Sequence, residues 1–445
     1  MTPRTALPDR PPFAVRARLL TPLATGGTLH EADGLFVVEQ DGRISYAGAA
    51  AERGAQAERA VDIRPWVVMP GLVDLHAHLP QLPNAGLGAG LDLLSWLERY
   101  IFPLERGFDE ARAEVVAPAA WRAFASVGTT TALVYGAVYE ASLDATFRAA
   151  EAHGIRAVIG KVMMDRLTYD DTIDPTTILD RSLREASDLC SRWHMRDEGR
   201  LRYAFTPRFA VSCTADMLSE SAALARSTGA YWQTHVAEDH GEIAEVARLF
   251  PEALDYVDVY DRAGGLGERT VLAHGVHLSE RELARLVETG TRVAHCPASN
   301  LFLASGVMPL GRYLEAGLLV GLGSDVSAGP DLSIFGSMRA GFYAWNALRV
   351  NGSVSAPVLP PLEWLRMGSL GGARVLGLDD VTGSLEAGKE ADFIAVDPSF
   401  VAPMSGVTDD DPSDLVSRLI FRAHPDMVRA AWVRGRALEG PAARG

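Results

Sequence analysis

Val73-Asp74-Leu75-His76-Ala77-His78 closes an apolar run that begins at Val67. Residues Val67–Asp74 read as a strand, and alternation beyond it puts His76 and His78 on one side, so that both imidazoles can reach one cation. Alone the pair says little. Roughly 0.3 such pairs arise by chance at this histidine content, and two core or surface histidines would explain it as well.

Seven more apolar runs follow: Thr129–Tyr135, Ile155–Val162, Leu201–Thr206, Tyr231–Val236, Thr270–His274, Thr291–His295 and Leu318–Asp325. Helix-patterned stretches such as Glu110–Ala125 and Glu280–Glu288 separate several of them. Strands alternating with helices imply parallel βαβ units. Eight units predict an α/β fold, a (β/α)8 TIM-like barrel, with an open doubly wound sheet as the alternative. The ends of the chain have another texture. Leu35–Gln40 and Arg43–Tyr46 flank Asp41-Gly42, a strong hairpin signal that predicts a type I′ turn. Ala391–Val396 reads as a strand, and Met427–Val433 with Arg436–Leu438 as a second hairpin around Arg434-Gly435. The expected organisation is a barrel over 67–377 and a small β-sandwich domain formed from both chain termini, 1–66 and 378–445. Pro80–Pro103 is long for a connection and reads as a lid over the barrel mouth.

Composition narrows the chemistry. The 445 residues carry 42 Lys+Arg against 57 Asp+Glu, a formal charge of −15. That predicts no nucleic-acid partner, because phosphate neutralisation needs a basic surface. No apolar run of membrane-spanning length occurs, and Met1–Leu20 lacks the apolar core of a secretion signal. Cys190, Cys213 and Cys296 form no Cys-x-x-Cys pair, which fits a reducing compartment. The expected localisation is cytoplasmic, with no membrane partner.

The polar residues of interest end predicted barrel strands, the face on which barrel enzymes build active sites. His235 ends strand five and supplies a third imidazole. Glu238, three residues on, is either a proton shuttle or an ordinary acid in the first turn of a helix. His274 ends strand six. Asp325 follows strand eight, where a carboxylate is costly unless it is paired, caps a helix or binds a cation. Three imidazoles and a carboxylate, His76, His78, His235 and Asp325, suit Zn²⁺ with one position left for water. Other catalytic signatures are missing: there is no His-Glu-x-x-His, no phosphate-binding Gly-rich loop and no Gly-x-Ser-x-Gly. His240-Gly241-Glu242 has no Pro-Cys-x-x-Cys to complete a cytidine-deaminase site.

His76-Ala77-His78, His235, His274 and Gly323-Ser324-Asp325 together resemble the mononuclear zinc branch of the amidohydrolase superfamily, over nearly the whole chain. Trp96–Pro103, Gly160–Asp165, Thr206-Pro207-Arg208-Phe209 and His295–Leu301 further resemble its guanine-deaminase members. The loop Val326–Pro330 and Ala298 depart from that pattern. The resemblance implies one Zn²⁺ per subunit on His76, His78, His235 and Asp325, and a homodimer. It implies that Glu238, His274 and Asp325 are catalytic, that Gln81 and Arg208 read the polar edge of a purine, and that Phe209 and Trp96 form its apolar walls. The implied reaction is hydrolytic deamination of guanine to xanthine and ammonia by a zinc-activated water. Another aminated purine or an s-triazine-like heterocycle is the alternative. Cyclic-amide hydrolysis would call for a bridging lysine at the end of strand four, and none falls there. A non-catalytic barrel would have no need of the intact metal set.

Overall fold

A computed structural model of the chain describes residues 7–169, 172–352 and 358–440. The outermost residues of the expected terminal domain, 1–6 and 441–445, lie outside this range. Sixteen strands form two sheets among the described residues. The first comprises β1 (Phe13–Pro22), β2 (Thr28–Val38), β3 (Ile44–Ala49) and β4 (Val61–Pro70). The barrel follows with β5 (Leu72–His78), β6 (Thr129–Tyr135), β7 (Arg156–Gly160), β8 (Val162–Met163) and β9 (Leu201–Pro207). It continues through β10 (Tyr231–Val236), β11 (Thr270–His274), β12 (Arg292–His295) and β13 (Val320–Leu322). The chain then returns to the first sheet with β14 (Phe393–Val396), β15 (Val428–Val433) and β16 (Arg436–Ala437).

The terminal sheet has the order β16-β15-β14-β4-β1-β2-β3. Val15, Leu19, Phe36, Val68, Phe393 and Trp432 fill its core. The β2–β3 connection is not the type I′ turn expected at Asp41-Gly42. Only Gly42 has positive φ, +79°, and it donates to the Glu39 carbonyl at 2.9 Å, so Gly42 ends a longer loop. Positive φ at both central residues occurs instead at Arg434 and Gly435, between β15 and β16.

Val67–Pro70 pair with Val396–Phe393 of β14, so they extend the terminal sheet and do not begin the barrel. The break falls at Gly71. A Cβ there would lie 2.0 Å from Thr130 Oγ1, so only glycine lets the chain pass from one sheet to the other. The expected boundary at 66 and 67 therefore moves four residues downstream.

The barrel strands run parallel in the order β13-β12-β11-β10-β9-β7-β6-β5. Helices such as Glu110–Ser126 and Glu280–Thr289 pack outside. The first is capped by the Asp109 side chain, the second by a Ser279–Glu282 capping box. Val73, Leu75, Leu133, Val158, Tyr231 and Val271 form one buried interior cluster. Plain alternation from Val73 and Leu75 would then send His76 and His78 outward. An extra residue in β5 prevents this: between Asp74 and Ala77 the register against β6 advances by three residues opposite two. That bulge turns the histidines inward.

Among the described residues no helix is long and apolar enough to cross a membrane.

The two sheets are pinned by a buried charge cluster. Arg156 of β7 donates to Asp392 at 2.7 Å and Glu390 at 2.5 Å, and Arg434 donates to Glu390 at 2.8 Å. Burial opposes the charge on Glu390, but Arg156 and Arg434 outweigh it and hold the carboxyl below its usual 4.5. This stabilisation is present above that value and fades as pH falls through the lowered folded one. Arg156→Met would leave the buried Asp392 without a guanidinium and Glu390 with Arg434, and should destabilise the fold by about 3–5 kcal/mol at pH 7. Urea unfolding should show this deficit shrinking at acid pH as the Glu390 carboxyl protonates; equal stability at pH 7 would refute the cluster's role.

Candidate metal centre

The strand ends converge at the C-terminal mouth of the barrel. β5 brings His76 and His78, β10 His235, β11 His274, and the turn after β13 brings Asp325. Ala237, His274 and Asp325 hold left-handed backbones with φ of +47°, +72° and +49°. Such non-glycine conformations are costly and persist only where surroundings impose them.

Donor atoms gather in two overlapping sets, His76, His78 and His235 in one and His76, His274 and Asp325 in the other. His76 Nε2 lies 3.3 Å from His78 Nε2, and His78 Nε2 lies 3.2 Å from His235 Nε2. Asp325 Oδ1 is 3.2 Å from His76 Nε2 and 3.5 Å from His78 Nε2. Ligands about 2.05 Å from a tetrahedral zinc ion stand about 3.3 Å apart, and these four separations match that spacing. The protonation states fit too. Burial, and then crowding by the neighbouring imidazoles, lowers the His76, His78 and His235 pKa values well below normal. Their rings are therefore neutral and can offer lone pairs. His235 Nδ1 donates to the Arg208 carbonyl at 2.5 Å, which leaves Nε2 facing the cluster. Burial pushes the Asp325 carboxyl up to about 6, a penalty that a bound cation would relieve.

Glu238 and His274 adjoin this cluster. Glu238 Oε2 is 3.4 Å from His274 Nε2, which is 3.8 Å from Asp325 Oδ2. Burial, then the charge of Asp325, raises the Glu238 pKa well above its usual value. The carboxyl is thus suited to carry a proton at neutral pH. Ser305 Oγ donates to Glu238 Oε1 at 3.1 Å, and His274 Nδ1 donates to Asn300 Oδ1 at 2.9 Å.

Opposite the donors lies a cleft. Leu93, Trp96 and Leu97 of the 80–103 segment roof it, Phe209 forms a wall, and Gln81 and Arg208 also face it. Trp96 Nε1 donates to the Leu87 carbonyl at 3.1 Å, tying the roof together. Gly88 makes room: a Cβ there would lie 2.3 Å from Trp96 Cδ1.

The structure places His78, Gln81, Trp96, Arg208, Phe209, His235, Glu238, His274 and Asp325 around one cleft, with His76 against His78. It adds others whose part in this site the sequence did not mark. Asp74 accepts from Ser324 N at 2.9 Å, Ser324 Oγ at 2.5 Å and His76 N at 3.2 Å. Glu242 accepts from Glu238 N at 2.9 Å and Tyr256 OH at 2.6 Å. Glu105 binds Gln81, Arg208 and Tyr169. Asp74 and Asn300 sat inside segments already quoted, so their position next to the ligands was a usable signal. Glu105 lies in a short helix with no motif around it, and only the tertiary contact reveals it.

Known proteins share this fold. The amidohydrolase family profile matches residues 67–438. A guanine deaminase of Escherichia coli is 36% identical over 392 residues, 87% of this chain and 86% of that protein. The solved guanine deaminase of C. acetobutylicum, with guanine bound in its active site, aligns with a TM-score of 0.88 at 26% identity. The alignment covers 96% of this chain and 99% of that one. A zinc-bound adenosine deaminase from Xanthomonas campestris gives 0.79 at 26% identity, over 97% and 93% of the two chains.

Purified protein should retain about one transition-metal ion per chain through dialysis. His78→Ala and Asp325→Ala should each weaken retention at least about tenfold, read by plasma mass spectrometry. Undiminished metal in both variants would place the ion elsewhere.

Proposed function

On the premise that this chain belongs to the amidohydrolase family, we propose that it is a zinc-dependent aminohydrolase converting guanine and water to xanthine and ammonia. One observation carries the reading. Three neutral imidazoles and a carboxylate gather beside a buried acid, across a cleft from an amide and a guanidinium.

Zn²⁺ held by His76, His78, His235 and Asp325 would supply a water that is nucleophilic near neutral pH. The remaining work falls to side chains. Phe209 and Trp96 clamp the planar base and exclude bulk water. Arg208 and Gln81 fix its polar edge, which sets the amine-bearing carbon at the mouth of the cluster. Glu238 gives its proton to the ring nitrogen beside that carbon, making the carbon electrophilic. Asp325 takes the proton that the attacking water loses. His274, between the two carboxyls, is placed to hold the attacking oxygen, and Asn300 fixes its tautomer. An amide anion leaves poorly, so a second proton must reach the exocyclic nitrogen before ammonia departs. Asp325 delivers to it the proton taken from water, and Glu238, emptied in the first step, takes up the proton that the added hydroxyl loses as the carbonyl forms.

The roof of Leu93, Trp96 and Leu97 favours a free base over a larger conjugate. The Arg208–Gln81 pair favours a base with a polar edge over a triazine substituted with alkyl groups.

Ammonia release from guanine should be abolished by a chelator and restored by added Zn²⁺. Glu238→Gln should lower kcat by about 10²–10⁴-fold with metal content unchanged. Full turnover in the chelated protein, or in that variant, would overturn the assignment.

A further inference from the structure

Glu105 is buried behind the cleft, and among the described residues each side chain that hydrogen-bonds its carboxylate is a donor. Gln81 Nε2 donates to its Oε1 at 2.6 Å, while Arg208 Nη1 and Tyr169 OH donate to its Oε2. Arg208 Nη1 also donates to Tyr169 OH at 2.9 Å. A carboxylate paired with a guanidinium offers only hydrogen-bond acceptors. Gln81 therefore has one orientation available: its NH₂ group turns to Glu105 and its carbonyl oxygen turns away. That oxygen, Oε1, is buried and has no hydrogen-bond partner among the described residues, while Gln81 itself faces the cleft. A buried acceptor without a donor is costly, so a bound ligand that supplies one would be favoured.

We propose that Glu105 is a positioning residue that fixes the Gln81 amide with its oxygen toward the cleft, so that Gln81 and Arg208 together select a lactam edge, a ring N–H beside a ring carbonyl. The ring N–H donates to Gln81 Oε1, and the adjacent carbonyl accepts from hydrogens of Arg208 not used by Glu105 or Tyr169. Guanine carries this edge, as does hypoxanthine. Adenine carries the reverse: a ring-nitrogen lone pair would meet the amide oxygen, and an amine would meet the guanidinium. A site whose buried polar groups are left unpaired rejects the wrong partner more strongly than an apolar pocket does. This inference deepens the aminohydrolase reading and rests on it for the choice of cleft, yet it concerns binding and can fail separately.

Glu105→Gln keeps the shape and removes the constraint. The new amide can pair with Gln81 through either end, so the Gln81 side chain is free to turn. Calorimetric titration of the zinc-loaded protein with hypoxanthine and with adenine reads the effect. The wild type should bind hypoxanthine at least about tenfold more tightly. In the Glu105→Gln protein the ratio should fall to within about threefold, and guanine KM should rise more than kcat falls. A merely structural role would weaken both probes alike and leave their ratio intact; that result overturns the proposal. Should this variant fail to fold, Gln81→Met keeps the Glu105–Arg208 pair and removes the acceptor. Its ratio should collapse equally, and an unchanged ratio overturns the proposal. A wild type that prefers hypoxanthine but releases no ammonia from guanine would sink the deaminase reading and leave this one standing.

Discussion

The barrel closes at its mouth where the backbone N–H of Asp325 donates to the His76 carbonyl at 2.7 Å, and that of His78 to the Val326 carbonyl at 2.8 Å. These bonds join strand one to the turn after strand eight, the most distant pair of barrel strands in sequence. Asp74 reinforces the seam through three hydrogen bonds to Ser324 and His76. A Cβ on Gly323 would come within 2.8 Å of His76 Cβ and 2.9 Å of Cys296 Sγ, so the approach needs glycine. A carboxylate and two imidazoles contributed by opposite ends of the barrel come to share one point because of this seam. The bulge in β5 and the left-handed φ at Asp325 are local distortions that the closure imposes.

Electrostatics follows from that closure. Removing the cluster from water keeps the imidazoles neutral and Glu238 reluctant to ionise, as desolvation disfavours charge on either kind of group. The same burial makes every unpaired polar atom expensive, which explains the density of supporting contacts. Asn300, Ser305 and the Arg208 carbonyl each satisfy one side of a reactive group and leave its other side toward the cleft. Glu105 does the same for Gln81 and Arg208. The chemistry is thus set as much by what occupies the back of each side chain as by the groups that face the substrate.

Much of this was legible in the linear chain. Strand runs alternating with helical segments specify a parallel barrel, because period-two and period-3.6 patterns are local properties. The position of His76, His78, His235, His274 and Asp325 at strand ends was legible too, because a barrel exposes those ends on one face whatever its details. The composite β-domain showed in the apolar texture of both termini.

Other features were decided by contacts between distant segments. Val67–Pro70 reads as continuous with β5, yet it joins the terminal sheet because Thr130 leaves no room for a side chain at position 71. Asp41-Gly42 carries the stronger turn signal, but the type of turn depends on the register of the two strands, and the doubly left-handed turn forms at Arg434-Gly435. Glu105 has no signature, because a helical acid near the surface and a buried one look alike until a guanidinium and an amide pack against it. Sequence alone determined which residue types could do this chemistry and on which face they would lie. Tertiary structure alone decided their orientation and protonation, since both depend on burial and on partners tens or hundreds of residues away.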